Sequence, residues 1–166
     1  LDDGKTILAV YPKGHGRGPI VYKKSINGGN SWSERLSTPA SWKTSKEVPT
    51  LHRMQGPDGK KRIILWSGLY PARFSVSEDE GRTWTELKQA GQWGGIVVMG
   101  DHMALKTGAG HYMCVFHDDG RFFTEKGQLA TPVRFTLYKT VTLDGGLTWS
   151  EPEALHADTA VHLCEP

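Results

Sequence analysis

SEDEGRTW, Ser77 to Trp84, admits two local structures that lead to different folds. Taken alone, Ser77 and Glu80 have the spacing of a capping box, the pair that opens a helix. The same eight residues also set an acid, a glycine and a tryptophan at fixed offsets. Two further stretches repeat those offsets: SINGGNSW from Ser25 to Trp32, and TLDGGLTW from Thr142 to Trp149. The shared form is Ser or Thr, any residue, Asp or Asn, any, Gly, any, Ser or Thr, Trp.

Each copy follows an alternating, strand-like run: PIVYKKS, ARFSVS and FTLYKTVT. Each precedes a polar edge: SERL, TELK and SEPEAL. The eight residues therefore join two strands. Asp or Asn at the third place accepts backbone N–H bonds and holds a turn. Gly at the fifth place admits a positive φ. The tryptophan is a large wedge able to pack between sheets. Three uses of one string make the hairpin turn, not the helix start, the expected structure.

The starts lie 52 and 65 residues apart, near the roughly 40 to 50 residues of a propeller blade before insertions. The expected fold is all-β, a β-propeller with about three blades in this chain. The first blade is placed at 1–40, the second at 46–90, the third at 94–156, and the start of a fourth at 160–166. In the second blade EVPTLHR, KRIILWSG, ARFSVS and TWTEL are expected as strands. In the third they are GIVVMG with HMALKT, then HYMCVFHD, FTLYKTVT and TWSEP. The first blade shows KTILAV, PIVYKKS and the segment after Trp32, without an innermost strand. VHLCEP reads as the innermost strand of a further blade. Two accounts are expected from this count: a piece of a longer ring, or two chains that complete one ring by pairing open edges.

The repeat resembles the Asp-box, or bacterial neuraminidase repeat, of the sialidase superfamily. Ser77, Asp79, Gly81, Thr83 and Trp84 match it in full. The first copy carries Ser25, Asn27, Gly29 and Trp32, with Asn in place of Asp. The third carries Thr142, Asp144, Gly146 and Trp149, with Thr in place of Ser. The resemblance implies a six-bladed ring whose boxes are structural and lie away from the catalytic face. It implies an exo-α-sialidase that cleaves terminal sialic acid or a related acidic sugar without a cofactor. It also implies export, to a secreted or periplasmic location.

The family parts implied are an arginine triad for the substrate carboxylate, a tyrosine nucleophile activated by a glutamate, and an aspartate acid–base. Tyrosine suits an anionic sugar, which would repel an attacking carboxylate. The family's first arginine stands in an Arg-Ile-Pro strand before the Asp2-Asp3-Gly4 turn, upstream of Leu1. The family aspartate belongs to a loop that is YPKGHGRGP here, 11–19, and holds no carboxylate. His15 stands there instead and could move protons near neutral pH; the alternative is a solvated loop histidine. Lys13 and Arg17 could bind a carboxylate or sulfate. Glu165, in LCEP, resembles the glutamate that partners the tyrosine. Glu47 holds the corresponding place in the second blade, beside Trp42 and Lys46, and is a candidate for the pocket lining.

Two loops on the side away from the box turns complete the candidates. SGLYPAR presents Tyr70 and Arg73, and FHDDGRF presents His117, Asp118, Asp119 and Arg121. Loops on a rigid scaffold carry function. Asp118 or Asp119 could replace the missing acid; the alternative is an ordinary Asx-rich turn. Trp93, before two glycines, is read as either a sugar-stacking platform or a core residue.

The 166 residues carry a net charge of +2, with lysines and arginines scattered, which argues against nucleic acid as the partner. No apolar run approaches the roughly 20 residues of a membrane helix. LDDGKTILAV does not have the order of a signal peptide. Cys114 and Cys164 are read as buried thiols, with a disulfide as the alternative. The histidines show no metal-protease spacing, and no Walker or Rossmann glycine pattern occurs. No metal or cofactor is expected. The rival readings are a propeller glycosidase or lyase for another acidic glycan, and a non-catalytic glycan- or protein-binding propeller.

Overall fold

A computed structural model describes residues 1–14, 16–129, 131–158 and 160–161, with the backbone alone at 97–99. The described chain is all-β and built of three antiparallel sheets. The strands are β1 (Ile7–Gly14), β2 (Arg17–Ser25), β3 (Thr50–Gln55), β4 (Lys61–Ser67), β5 (Arg73–Ser77), β6 (Lys88–Gln89), β7 (Val97–Ala104), β8 (Tyr112–Asp118), β9 (Thr136–Thr142) and β10 (Glu153–Ala157). One short 3-10 turn, Ala40–Thr44, buries Trp42. The first sheet is β1–β2. The second runs in order β3-β4-β5-β6, and the third in order β7-β8-β9-β10. Among the described residues no helix is long and apolar enough to cross a membrane.

The second sheet lies between the other two, which explains the continuous burial of β4. Side chains alternate across a strand. Ile64 and Trp66 therefore face the third sheet with Met54, Phe74, Cys114 and Phe116. Leu65 points the other way and packs with Ile20, Tyr22 and Trp42. Cys114 is a fully buried free thiol, and burial pushes its pKa up. Cys164 lies outside the described residues.

All three boxes form the same turn. The Ser25, Ser77 and Thr142 hydroxyls accept the Gly29, Gly81 and Gly146 amides at 2.9, 2.8 and 2.9 Å. Asn27, Asp79 and Asp144 accept the Ser31, Thr83 and Thr148 amides at 2.9, 2.9 and 3.0 Å. Asp79 and Asp144 also accept the Thr83 and Thr148 hydroxyls. Asn27 reverses that bond, donating its amide to the Ser31 hydroxyl at 2.9 Å. The box glycines have φ of 92°, 81° and 94°, and each follows a second positive-φ residue: Gly28, Glu80 or Gly145.

Burial opposes ionisation of Asp79 and Asp144, but the Thr and Ser donors outweigh it and hold both carboxyls below their ordinary value. A carboxyl held low in the folded state adds stability above the unfolded value, about 3.9, that is lost as pH falls through the folded one. An Asp79→Asn variant should keep the fold, as Asn27 does in the first box. It should be less stable than the parent at pH 7, and the gap should close below about pH 4. Urea unfolding at pH 7 and pH 3 checks this; a gap that ignores pH would contradict it.

The repeat is one residue longer than its eight-residue form. Ser33, Thr85 and Ser150, each just after the tryptophan, bond to the strand that enters the box. Their amides donate to the Lys24, Val76 and Val141 carbonyls at 2.9, 3.0 and 2.8 Å. Their hydroxyls accept the amides of the same three residues at 3.1, 2.9 and 3.0 Å. This clasp delays the outermost strands. TWTEL and TWSEP are expected as strands, yet β6 begins at Lys88 and β10 at Glu153.

The box tryptophans reach back onto the preceding sheet. Trp84, from the second sheet, meets Tyr22 of the first and Trp42, with ring centroids 5.9 and 5.3 Å apart. Trp149, from the third sheet, meets Trp66 and Phe74 of the second at 4.8 and 6.3 Å. The Tyr22 hydroxyl donates to the Gly81 carbonyl at 2.7 Å. Trp32 has no earlier sheet to meet among the described residues and is 43% exposed.

Candidate functional site

Successive antiparallel connections lie at opposite ends of a sheet. The β4–β5 and β8–β9 connections therefore sit at the ends away from the box turns. There they meet residues 90–96, which lead from β6 to β7. Gly94 and Gly95 together bind the two loops. The Gly94 amide donates to the Phe123 carbonyl at 3.2 Å, and the Leu69 amide donates to Gly95 at 2.8 Å. Between the loops opens a cleft of about 640 Å³ lined by Lys46, Tyr70, Gln92, Arg121 and Glu125, among others.

The cleft is polar. The Tyr70 hydroxyl donates to Gln92 Oε1 at 2.9 Å, which leaves the phenol oxygen able to accept and the Gln92 amide able to donate. Lys46 Nζ donates to the Tyr70 carbonyl at 2.9 Å. Arg121 is paired with the buried Asp119 through Nε, at 2.8 and 3.0 Å, and through Nη2 at 2.6 Å. The hydrogen bond it donates to Asp119 holds the guanidinium's pKa up. Arg121 keeps 47% of its side chain exposed, so one edge is fixed and the rest meets solvent. Such an arginine can take a carboxylate by charge-assisted hydrogen bonds. Glu125 is the carboxylate of the lining.

Of the residues singled out from sequence, Tyr70 and Arg121 come together in this cleft. Glu47 lies nearby but against the first sheet. Its carboxylate borders Gly16, so that a Cβ there would sit 3.2 Å from Oε1, and its own φ is 64°. Arg17 pairs with Lys46 in an isolated bridge, which ties the β1–β2 hairpin to the edge of the cleft.

Several expectations are corrected. YPKGHGRGP is not a long loop. β1 continues to Gly14 and β2 begins at Arg17, so Lys13 and Arg17 stand in strands and are exposed. Gly16 and Gly18, with φ of 59° and 99°, allow the tight return. Arg73 is not offered to a ligand. It donates to Thr44 Oγ1 at 2.9 Å and to the Thr44 carbonyl at 2.5 Å, and burial lowers its pKa. Trp93 is a core residue, not a platform: it is 1% exposed and stacks on Phe116 at 5.2 Å. Asp118 and Asp119 are buried, and neither lines the cleft. His117 is buried, with its ring against Phe135. His15 and Glu165 lie outside the described residues.

Gln92, Glu125 and Lys46 join the site without any local sequence pattern. Each is single in its own segment, and only the meeting of three connections brings them together. Among the described residues no group of three or more His, Cys, Asp or Glu is placed to hold a metal ion. No family model matches the chain, and no curated protein matches it.

Proposed function

We propose that the chain belongs to a sialidase-like Asp-box propeller, a glycoside hydrolase, and that the cleft beside Tyr70 takes a terminal acidic sugar. The observation that carries this reading is the joining of Arg121, Lys46 and Tyr70 in one polar cleft at the sheet ends away from three identical box turns. Trp84 and Trp149 support the propeller, because each lays its own sheet on the one before in the same way.

Arg121 and Lys46 supply positive charge for the sugar carboxylate. Tyr70, held by Gln92, is the neutral oxygen that can approach an anionic sugar without repulsion. Glu125 is the candidate for moving a proton at the glycosidic oxygen. Glycan hydroxyls find partners in the amides of Gln89 and Gln92.

The test is release of fluorophore from a fluorogenic sialoside between pH 4 and 8. Release should occur within that range and fall at least tenfold in an Arg121→Ala variant, since a charged hydrogen bond is worth about 1.5–3 kcal/mol. No release at any pH would defeat the hydrolase reading. One observation favours a second reading, binding without turnover. Both aspartates of the FHDDGRF loop are buried, Asp119 in an ion pair, which leaves Glu125 as the carboxylate at hand. Sialoside that binds but is not cleaved would select it.

A further inference from the structure

Asp118 ends β8 opposite Thr136 of β9 and is fully buried. Its Oδ2 accepts three backbone amides: Gly120 at 2.8 Å, Phe122 at 3.2 Å and Phe123 at 2.8 Å. Its Oδ1 is equally buried and has no hydrogen-bond partner. Asp119 beside it is 2% exposed and binds Arg121. Two acids thus lie side by side at the root of the cleft loop, and only one has a cation.

We propose that Asp118 is a positioning residue, a buried clasp whose Oδ2 gathers the amides of 120–123 and sets the loop from which Arg121 and Phe122 line the cleft. The geometry explains why neither acid lines the cleft. Asp119 orients the guanidinium from its side chain, and Asp118 orients the backbone that carries it. The clasp works best uncharged. The groups facing it are Asp119 and Arg121 from the loop and Tyr138 from β9. Burial outweighs the three amide donors and pushes the Asp118 carboxyl above its ordinary value, and the charge of Asp119 adds to the rise. An ionised Oδ1 would be a buried charge without a partner, whereas a protonated one is neutral.

The sign of the pH effect follows. A carboxyl raised in the folded state contributes stability that is complete below the unfolded value, about 3.9, and is lost as pH rises through the folded one. Asp118→Asn is permanently neutral and still offers an oxygen to the three amides. Its melting temperature relative to the parent should climb by about 3 °C or more between pH 4 and pH 8. Amide exchange at Gly120, Phe122 and Phe123 should stay slow in Asp118→Asn and quicken at least tenfold in Asp118→Ala. Where Asp118→Ala does not fold, the pH slope and the exchange of Asp118→Asn decide. A pH-flat difference between Asp118→Asn and the parent, or unchanged exchange in Asp118→Ala, would overturn the proposal. Affinity for N-acetylneuraminate, retained in Asp118→Asn and reduced at least tenfold in a folded Asp118→Ala, is the one arm that rests on the proposed function. If the parent itself fails to bind that sugar, the functional reading falls, while exchange and pH slope still judge the clasp.

Discussion

A Gly94→Ala variant should melt about 10 °C below the parent and lose the cleft. A Cβ at Gly94 would lie 2.5 Å from the Phe122 carbonyl oxygen and closer still to that of Leu69. Both obstacles are backbone, one from each loop. Neither can step aside freely. Leu69 is tied to Gly95, Ala72 donates to the Trp93 carbonyl at 2.7 Å, and Phe123 accepts the Gly94 amide. Overpacking costs about 1–3 kcal/mol and more where backbone must move. In a chain of this size each kcal/mol is worth about 2–4 °C. Thermal unfolding followed by circular dichroism measures it. A variant that melts with the parent would show that the two loops do not meet at Gly94.

The second large effect separates the three box tryptophans. Trp149→Ala and Trp84→Ala should each cost about 3 kcal/mol, the lower end of the range for removing a packed tryptophan. Trp32→Ala should cost less than about 1 kcal/mol, as expected for a side chain that packs on little. The residue and the motif are the same in all three cases. What differs is the sheet beneath: Tyr22 and Trp42 under Trp84, Trp66 and Phe74 under Trp149, and neither kind of partner under the 43%-exposed Trp32. Denaturant unfolding of the three variants makes the comparison. Equal losses at all three positions would contradict the wedge.

The box turns were legible because their chemistry is local. A hydroxyl, an Asx side chain and a glycine satisfy one another within eight residues, so repetition exposes them. The clasp at Ser33, Thr85 and Ser150 repeats equally well but resembles the first residue of a strand, and its partner stands nine residues earlier. The hairpin at 11–19 looked like a loop because its glycines and prolines are also compatible with a β-bulge, which the register shows between Pro12 and Gly14. Tyr70 and Arg121 are legible as loop residues because they crown connections between strong strand patterns. Arg73 and Trp93 sit in the same neighbourhood, and only burial and partners tell them apart. Gln92 and Glu125 carried no signal, since a cleft made where three connections meet has no periodicity along the chain. Asp118 illustrates the limit most sharply. The pair Asp118-Asp119 looks like one acidic feature in sequence, while in the fold one side chain holds backbone and the other holds Arg121.

The most direct test is a crystal structure of the protein soaked with N-acetylneuraminate. The account predicts the sugar in the cleft between the 67–73 and 119–125 loops, its carboxylate on Arg121 and its ring within reach of the Tyr70 oxygen. Sugar bound elsewhere, or a vacant cleft at saturating concentration, would contradict it.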